Sequence, residues 1–281
     1  MISVVIPCYN VEATLADQVD RLLPQVIERD AELVLVDNNS NDETPRLLER
    51  LSRSEHVVVN AATERQGAAY ARNVGVEIAS GDLLLFCDAD DLVDEGWVAT
   101  MADALKDSAV VTGQLETASL NTEVQRGGRG HSTDLSTFYG LFPLVHGGNM
   151  ATTREAWKAI GPLDESMRSG EDIEWSLRAY VAGFDIAKLQ DAVIHYRYRS
   201  SARDLWKQGL SYGTFRPEIA RRAHALLGDR VSRLAGVKSW AWLLLHAPSI
   251  LSAERRAQLA WVAGNRLGHV RGSFRSRFML L

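Results

Sequence analysis

Two cysteines in 281 residues are too few for a disulfide framework. Cys8 and Cys87 each end an apolar run, so both read as buried thiols. A membrane-crossing helix needs about 20 consecutive apolar residues, and the chain has no such run. The nearest stretch, Ser239 to Leu251, has thirteen residues and is broken by His246 and Pro248. No basic segment opens the chain. Met1 to Pro7 reads as a strand from its first residues, which makes the cytoplasm the expected compartment. Internal repeats and low-complexity tracts are also absent.

What is present is an ordinary globular composition, 46% hydrophobic and 24% charged, over a length that suits one large α/β domain with an appendage. The net charge of -5 conceals an asymmetry. Residues 203–281 hold fourteen Lys or Arg against four Asp or Glu, an excess of ten positive charges, so residues 1–202 carry fifteen negative ones. An acidic body with a basic tail predicts a tail that meets an anionic surface, or simply a solvated basic helix pair.

Short β-branched runs alternate with helical spacing. Strands are predicted at Ile2–Ile6, Glu32–Val36, Val57–Asn60, Leu83–Cys87, Ala109–Thr112 and Val193–Tyr198. Helices are predicted at Val11–Leu23, Pro45–Leu51, Ala68–Ala79, Glu95–Leu105 and 171–183, and from about residue 202 onward. Residues 115–146 break the pattern, with Arg126-Gly127-Gly128-Arg129-Gly130 suggesting a flexible loop or lid. The alternation implies an α/β fold, a mostly parallel mixed sheet flanked by helices, with a helical C-terminal extension. The predicted domains are 1–202 and 203–281.

The densest chemistry follows the fourth strand. Leu83 to Cys87 ends in Asp88-Ala89-Asp90-Asp91, three carboxylates within four residues. Crowded carboxylates repel, and one stays protonated unless a cation sits among them. Oxygen ligands at a strand's carboxyl end suit Mg²⁺ or Mn²⁺, and that edge is where open α/β sheets bind ligands. The alternative is an acidic turn capping the next helix.

Four further constellations stand out. Asp37-Asn38-Asn39-Ser40 after the second strand can hydrogen-bond a base or ribose, or make an ordinary turn. Arg65 to Gly75 opens the third helix with small residues and Arg72, a fork of donors for an anion or carbonyl, or one half of a structural salt bridge. Ser169-Gly170-Glu171-Asp172 satisfies a capping box through Ser169 and Asp172, or supplies Asp172 as a general base. His195 on the last strand gains interest only if the fold brings it to Asp90.

In this order the sets resemble the family 2 inverting glycosyltransferases, which have an A-type nucleotide-sugar-binding fold. The matching residues are Ser3 to Asn10, Val36 to Ser40, Ala71 to Gly75, Asp88 to Asp91, Gly148 to Ala151 and Gly170 to Asp172, over roughly residues 1–200. The resemblance implies that Pro7, Tyr9, Asp37 and Arg72 line a nucleoside pocket. Asp88 would face ribose and metal, and Asp90 would bind the metal, with His195 a further contact. Gly148 and Asn149 would sit beside the donor sugar, and Asp172 would be the catalytic base. The implied cofactor is Mn²⁺ or Mg²⁺. The implied partners are a nucleotide-diphosphate sugar and a glycan or lipid-linked acceptor, with no nucleic acid. The family often has Asp-Gly-Ser where this chain has Asp37-Asn38-Asn39-Ser40, and the Gln-x-x-Arg-Trp of processive synthases is missing, so single-sugar transfer is expected.

Two alternatives compete. A sugar nucleotidyltransferase would want a Gly-rich, basic phosphate loop where Pro7-Cys8-Tyr9-Asn10 stands. A catalytically dead, membrane-associated nucleotide-sugar-binding module is disfavoured by the intact Asp88, Asp90 and Asp172. For the tail, Trp240 and Trp242 beside Leu243 to Leu245, flanked by Arg233, Lys238, Arg255 and Arg256, predict an interfacial helix at the inner face of the membrane. Arg266, Arg271, Arg275 and Arg277 would extend its positive surface. The same apolar residues could instead pack on the catalytic domain or on a second subunit of a homodimer.

Overall fold

The computed structural model describes residues 1–126, 134–228, 237–248 and 252–280. The glycine-rich segment 127–130, Arg233 and residues 249–251 lie outside them. The chain forms two compact units. The first is Met1–Glu116, Ser132–Ser136 and Pro143–Tyr196; the second is Thr117–His131, Thr137–Phe142 and Arg197–Leu281.

The first unit is an eight-stranded mixed sheet. Its strands are β1 (Ile2–Cys8), β2 (Glu32–Asp37), β3 (Val57–Ala61), β4 (Leu83–Cys87), β5 (Leu92–Val93), β6 (Val110–Glu116), β7 (Asn149–Thr153) and β8 (Ile186–His195). They lie in the order β3-β2-β1-β4-β7-β6-β8-β5. The four strands β3, β2, β1 and β4 run parallel, and β7 enters antiparallel between β4 and β6. Buried on both faces, β1, β2 and β4 are apolar over Val4–Cys8, Leu33–Val36 and Leu83–Cys87, as parallel strands covered on both sides tend to be.

Helices α1 (Leu15–Glu28), α2 (Thr44–Leu51) and α4 (Trp97–Ala104) cover one face, around Ile6, Leu35, Leu85 and Trp97. Helices α3 (Ala68–Ile78), α6 (Arg154–Ile160) and α7 (Glu171–Val181) cover the other, where Trp157 stacks on Phe86 and lies against Trp175, with ring centroids 5.3 and 5.7 Å away. Gly75 lets α3 approach the sheet, because a Cβ there would strike the Val5 side chain. Both cysteines are buried, free thiols.

Several expected boundaries move. α4 starts at Trp97 rather than Glu95, because Gly96 takes a left-handed φ of 75° and breaks the helix. The last strand runs from Ile186 to His195 rather than from Val193 to Tyr198; its middle is exposed at Gln190 and Asp191, so no apolar run marks it. The segment 115–146 is not wholly irregular, since β6 extends to Glu116 and α5 (Glu123–Arg126) follows.

The second unit is helical, with α8 (Ala202–Leu227), α9 (Val237–His246) and α10 (Ala253–Ser276). α8 and α10 pack backbone to backbone. A Cβ at Gly213 would meet the Asn265 carbonyl, and one at Gly268 the Leu210 carbonyl. Among the described residues no helix is long and apolar enough to cross a membrane. One expectation for this unit is reversed: Arg266 does not belong to a solvated basic surface but is buried.

Candidate active site

The carboxyl ends of β1, β2 and β4 share one edge of the sheet, because the three strands are parallel. β7 runs the other way, so its first residue, Asn149, lies opposite Cys87 at that same edge. Pro7 and Tyr9, Asp37, Asp88 and Gly148 therefore come from four strand ends to one place. Tyr9 is exposed, and Asp37 turns back to accept the Ser40 backbone N–H at 3.3 Å.

Asp88, Asp90 and Asp91 each offer a carboxylate oxygen within 4.8 Å of the others. The loop that carries them is shaped by Gln18, a fully buried amide on the apolar face of α1. Its Nε2 donates to the Asp88 carbonyl at 3.1 Å, and its Oε1 accepts the Val93 N–H at 3.0 Å. Hard oxygens at this spacing, with Asp88 and Asp90 half-buried at a strand end, fit a divalent cation of the Mg²⁺ or Mn²⁺ type.

Arg72 ties this cluster to α7. Buried on α3, its guanidinium donates to Asp88 Oδ1 at 2.6 Å and to Glu171 Oε1 at 3.0 Å. Burial alone would lower the Arg72 pKa. Asp88, Glu171 and Asp172 outweigh it and hold the guanidinium above its ordinary value. Glu171 is pushed up to about 7, first by burial and then by Asp172, with Arg72 opposing. Removing one member of such a buried pair leaves an uncompensated charge, at a cost of about 3–5 kcal/mol.

Asp172 lies one residue further along α7. The predicted capping box does not form: the cap is Gly170, in a left-handed conformation at φ 79°, with no side-chain cap bond. Asp172 instead accepts the Gly147 backbone N–H on Oδ2 at 3.1 Å and the Ile173 N–H on Oδ1 at 2.8 Å. Both oxygens are thus oriented by backbone donors. Gly148 follows, and a Cβ there would collide with the Asp88 carboxylate. The chain from Gly147 to Gly148 therefore touches both Asp172 and Asp88. His146, just before, is held below the usual histidine range by burial, with Asp172 pulling the other way.

Asn149 is fully buried and turned inward. It accepts the Trp97 indole N–H at 2.9 Å and donates to the carbonyls of Gln114 and Ala192 at 2.9 and 3.2 Å. Its amide locks the start of β7 and so fixes Gly148. Asn38 works similarly beneath the second strand end, donating to the Ala62 and Arg65 carbonyls and accepting the Gly67 N–H. His195 pairs across β8 and β5 with Leu92, the residue that follows the carboxylate cluster, and its ring is engaged by other acids. Its Nδ1 pairs with Glu116 at 2.9 Å, and its Nε2 is 3.9 Å from Asp94.

Sequence reading assigned no role to Gln18, Gly147 or Glu171. Gln18 was visible as a polar residue on an otherwise apolar helical stripe, and Glu171 as a second acid beside Asp172. Gly147 carried no signal beyond its adjacency to Gly148.

Solved structures share this fold. The mannosyltransferase PcManGT of Pyrobaculum calidifontis, determined with GDP-Man and Mn²⁺, superposes with a TM-score of 0.68 at 19% identity over 98% of this chain and 87% of that one. TarS 1–349 of S. aureus, with UDP-GlcNAc, gives 0.60 at 18% identity over 99% and 92%. Among curated relatives, the succinoglycan biosynthesis protein ExoA of Rhizobium meliloti is 29% identical over 81% of this chain and 72% of its own length. The glycosyltransferase AglE of Haloferax volcanii is 25% identical over 68% of this chain, which spans 65% of AglE. The description "Glycosyl transferase family 2" matches residues 3–161, from the first strand through the Asp88–Asp91 cluster to the end of α6. On an A-type glycosyltransferase sheet, with more than half of its length inside that match, this chain belongs to glycosyltransferase family 2.

Proposed function

We propose that the chain transfers a single sugar from a nucleotide-diphosphate donor to an acceptor hydroxyl with inversion at the anomeric carbon. The observation that carries this reading is the line Asp172–Gly147–Gly148–Asp88, which sets a backbone-oriented carboxylate beside the carboxylate cluster at the ligand-binding edge. Pro7, Tyr9 and Asp37 would hold the nucleoside at the β1 and β2 ends. Arg72 would fix Asp88 in position, and Gly148, held by Asn149, would border the donor sugar. Asp88 and Asp90 would hold Mn²⁺ or Mg²⁺. Such an ion supplies Lewis-acid stabilisation of the charge on the departing nucleoside diphosphate; Mn²⁺ accompanies the donor in the PcManGT structure.

Asp172 would take the proton of the acceptor hydroxyl while that oxygen attacks the anomeric carbon from behind. One base and no enzyme nucleophile invert the centre. The N–H groups of Gly147 and Ile173 fix both Asp172 oxygens, so the base is oriented before the acceptor arrives.

The acceptor would be a glycan or a lipid-linked glycan in cell-surface assembly, in keeping with the biosynthetic role in ExoA's name. The helical unit supports peripheral docking on the inner face of the cell membrane: Leu244 and Leu245 on α9 are each 77% exposed, in a region with an excess of ten positive charges.

Thermal shifts of the full chain with UDP-, GDP- and dTDP-sugars, with and without Mn²⁺, test the reading. One nucleotide class should stabilise the chain, more strongly with Mn²⁺, and NMR of the product should show the opposite anomer. The absence of any stabilising nucleotide sugar, or a retained configuration, would overturn it.

A further inference from the structure

The helical unit contains a cavity of about 250 Å³ that the transfer reaction does not use. Tyr139, Arg216, Ser239, Trp261, Asn265 and Arg266 line it. Two of these are arginines, and neither forms an ion pair with a described residue. Arg216 sits over the Tyr139 ring, 6.0 Å from its centroid. Arg266 is only 6% exposed, and Asn265 only 4%.

The donors around this cavity are left over. Arg266 Nη2 donates to Asn265 Oδ1 at 2.8 Å and to His269 Nε2 at 3.1 Å. Those contacts orient the guanidinium, but Nε and Nη1 are buried without a partner, as is Asn265 Nδ2. His269 adds no compensating charge. Burial, then Arg266 and Arg216, push it down to about 3, so its ring is neutral and accepts from the arginine. Desolvation also lowers the Arg266 pKa, with the Tyr139 hydroxyl opposing and Arg216 adding to the shift.

A buried cation with spare N–H groups and no counter-charge is expensive in isolation. Its placement is built into the backbone, because Gly213 and Gly268 bring α8 and α10 together and fix which face of α10 turns inward. The lining offers two guanidinium groups, an amide N–H₂ and two hydroxyls, and no carboxylate. A lining with donors in excess, doubly positive and free of carboxylates, matches a tetrahedral oxyanion, and arginine is the residue that best fits phosphate geometry.

We propose that this cavity is a binding site for a phosphate group, with Arg216 and Arg266 neutralising it and Asn265 donating a further hydrogen bond. It is separate in composition from the carboxylate cluster of the first unit and independent of the transfer mechanism. Its phosphate could belong to a lipid headgroup or to a free phosphate.

Calorimetry on the full chain in EDTA, at constant ionic strength, tests this with inorganic phosphate, pyrophosphate and short-chain dihexanoyl phosphatidic acid; EDTA silences metal-assisted binding elsewhere. Saturable binding should appear and fall at least about tenfold in Arg266→Met and Arg216→Gln. Tighter binding of phosphatidic acid than of the inorganic anions assigns the site to a lipid headgroup, and the reverse order assigns it to free phosphate. Arg266→Met should also raise the Tm in phosphate-free buffer, since it removes a buried unpaired charge. Arg216 is half-buried at the cavity, so Arg216→Gln keeps the test valid if the Arg266 variant misfolds. Mn²⁺-dependent nucleotide-sugar binding should be unchanged in both variants, which separates this proposal from the catalytic one. No saturable binding of any of the three probes, or equal binding by wild type and both variants, would overturn it.

Discussion

Asp172→Asn separates chemistry from architecture at the centre of the proposed mechanism. The wild-type carboxylate accepts two backbone N–H groups, from Gly147 at 3.1 Å and Ile173 at 2.8 Å. Asparagine keeps one acceptor oxygen, so one of those N–H groups loses its partner. An unsatisfied buried donor costs about 1–3 kcal/mol. A second effect has the opposite sign. Asp172 is the second-largest contributor, after burial, to the raised pKa of Glu171, so removing its charge relieves repulsion inside the site. The net stability loss should be about 1 kcal/mol, a fall in Tm of a few degrees for a chain of this size.

The kinetic effect is much larger. A positioned base contributes about 10²–10⁴-fold, so turnover at saturating donor should fall at least about a hundredfold, or about 2.7 kcal/mol in the barrier. Donor affinity should hold, because the substitution leaves Asp88, Asp90 and Arg72 in place. The measurements are kcat and KM for transfer, nucleotide affinity by calorimetry, and a melting curve on the same preparation. Turnover within severalfold of wild type, or a rate loss matched by an equal loss of donor affinity, would refute the assignment of the base.

Asp90→Ala should abolish Mn²⁺-dependent nucleotide affinity with little change in Tm; unchanged calorimetry with Mn²⁺ would remove Asp90 from the metal site. Glu171 makes stability depend on pH. Its folded pKa of about 7 lies above the ordinary value of 4.5, so its contribution is intact below about pH 4.5 and lost as pH rises towards 7, by about 3 kcal/mol. In EDTA, Glu171→Gln should flatten the stability profile across that window, and an unaltered profile would contradict it. Leu244→Glu with Leu245→Glu should reduce co-sedimentation of the full chain with anionic vesicles at low salt. Equal pelleting would instead favour packing of α9 on a second subunit or elsewhere on the chain.

The parallel half of the sheet was legible because burial on both faces makes Val4–Cys8, Leu33–Val36 and Leu83–Cys87 apolar runs. The antiparallel insertion was not. β7 carries Asn149 and Thr152, both fully buried and satisfied by hydrogen bonds to chain distant in sequence, so a central strand looks polar. The acids and glycines of the site were readable as types. Their partners were not. Arg72 reaches sixteen residues along the chain to Asp88 and ninety-nine to Glu171. Periodicity cannot report a contact at that separation, and a local rule such as the capping box filled the gap with the wrong partner for Asp172.

Arg266 shows the same limit from the other side. One arginine among the fourteen basic residues of the tail reads as part of a solvated face. What decides otherwise is the glycine spacing of α8 and α10, which brings the two backbones together and turns Asn265, Arg266 and His269 inward. A solvated arginine costs nothing to keep, whereas a buried one with two unpartnered nitrogens carries a standing desolvation cost. Helix packing alone does not require that charge, since a methionine of similar length would fill the space without the cost. An arginine at this position is therefore better explained by an anion that enters the cavity than by the packing of α10 on α8.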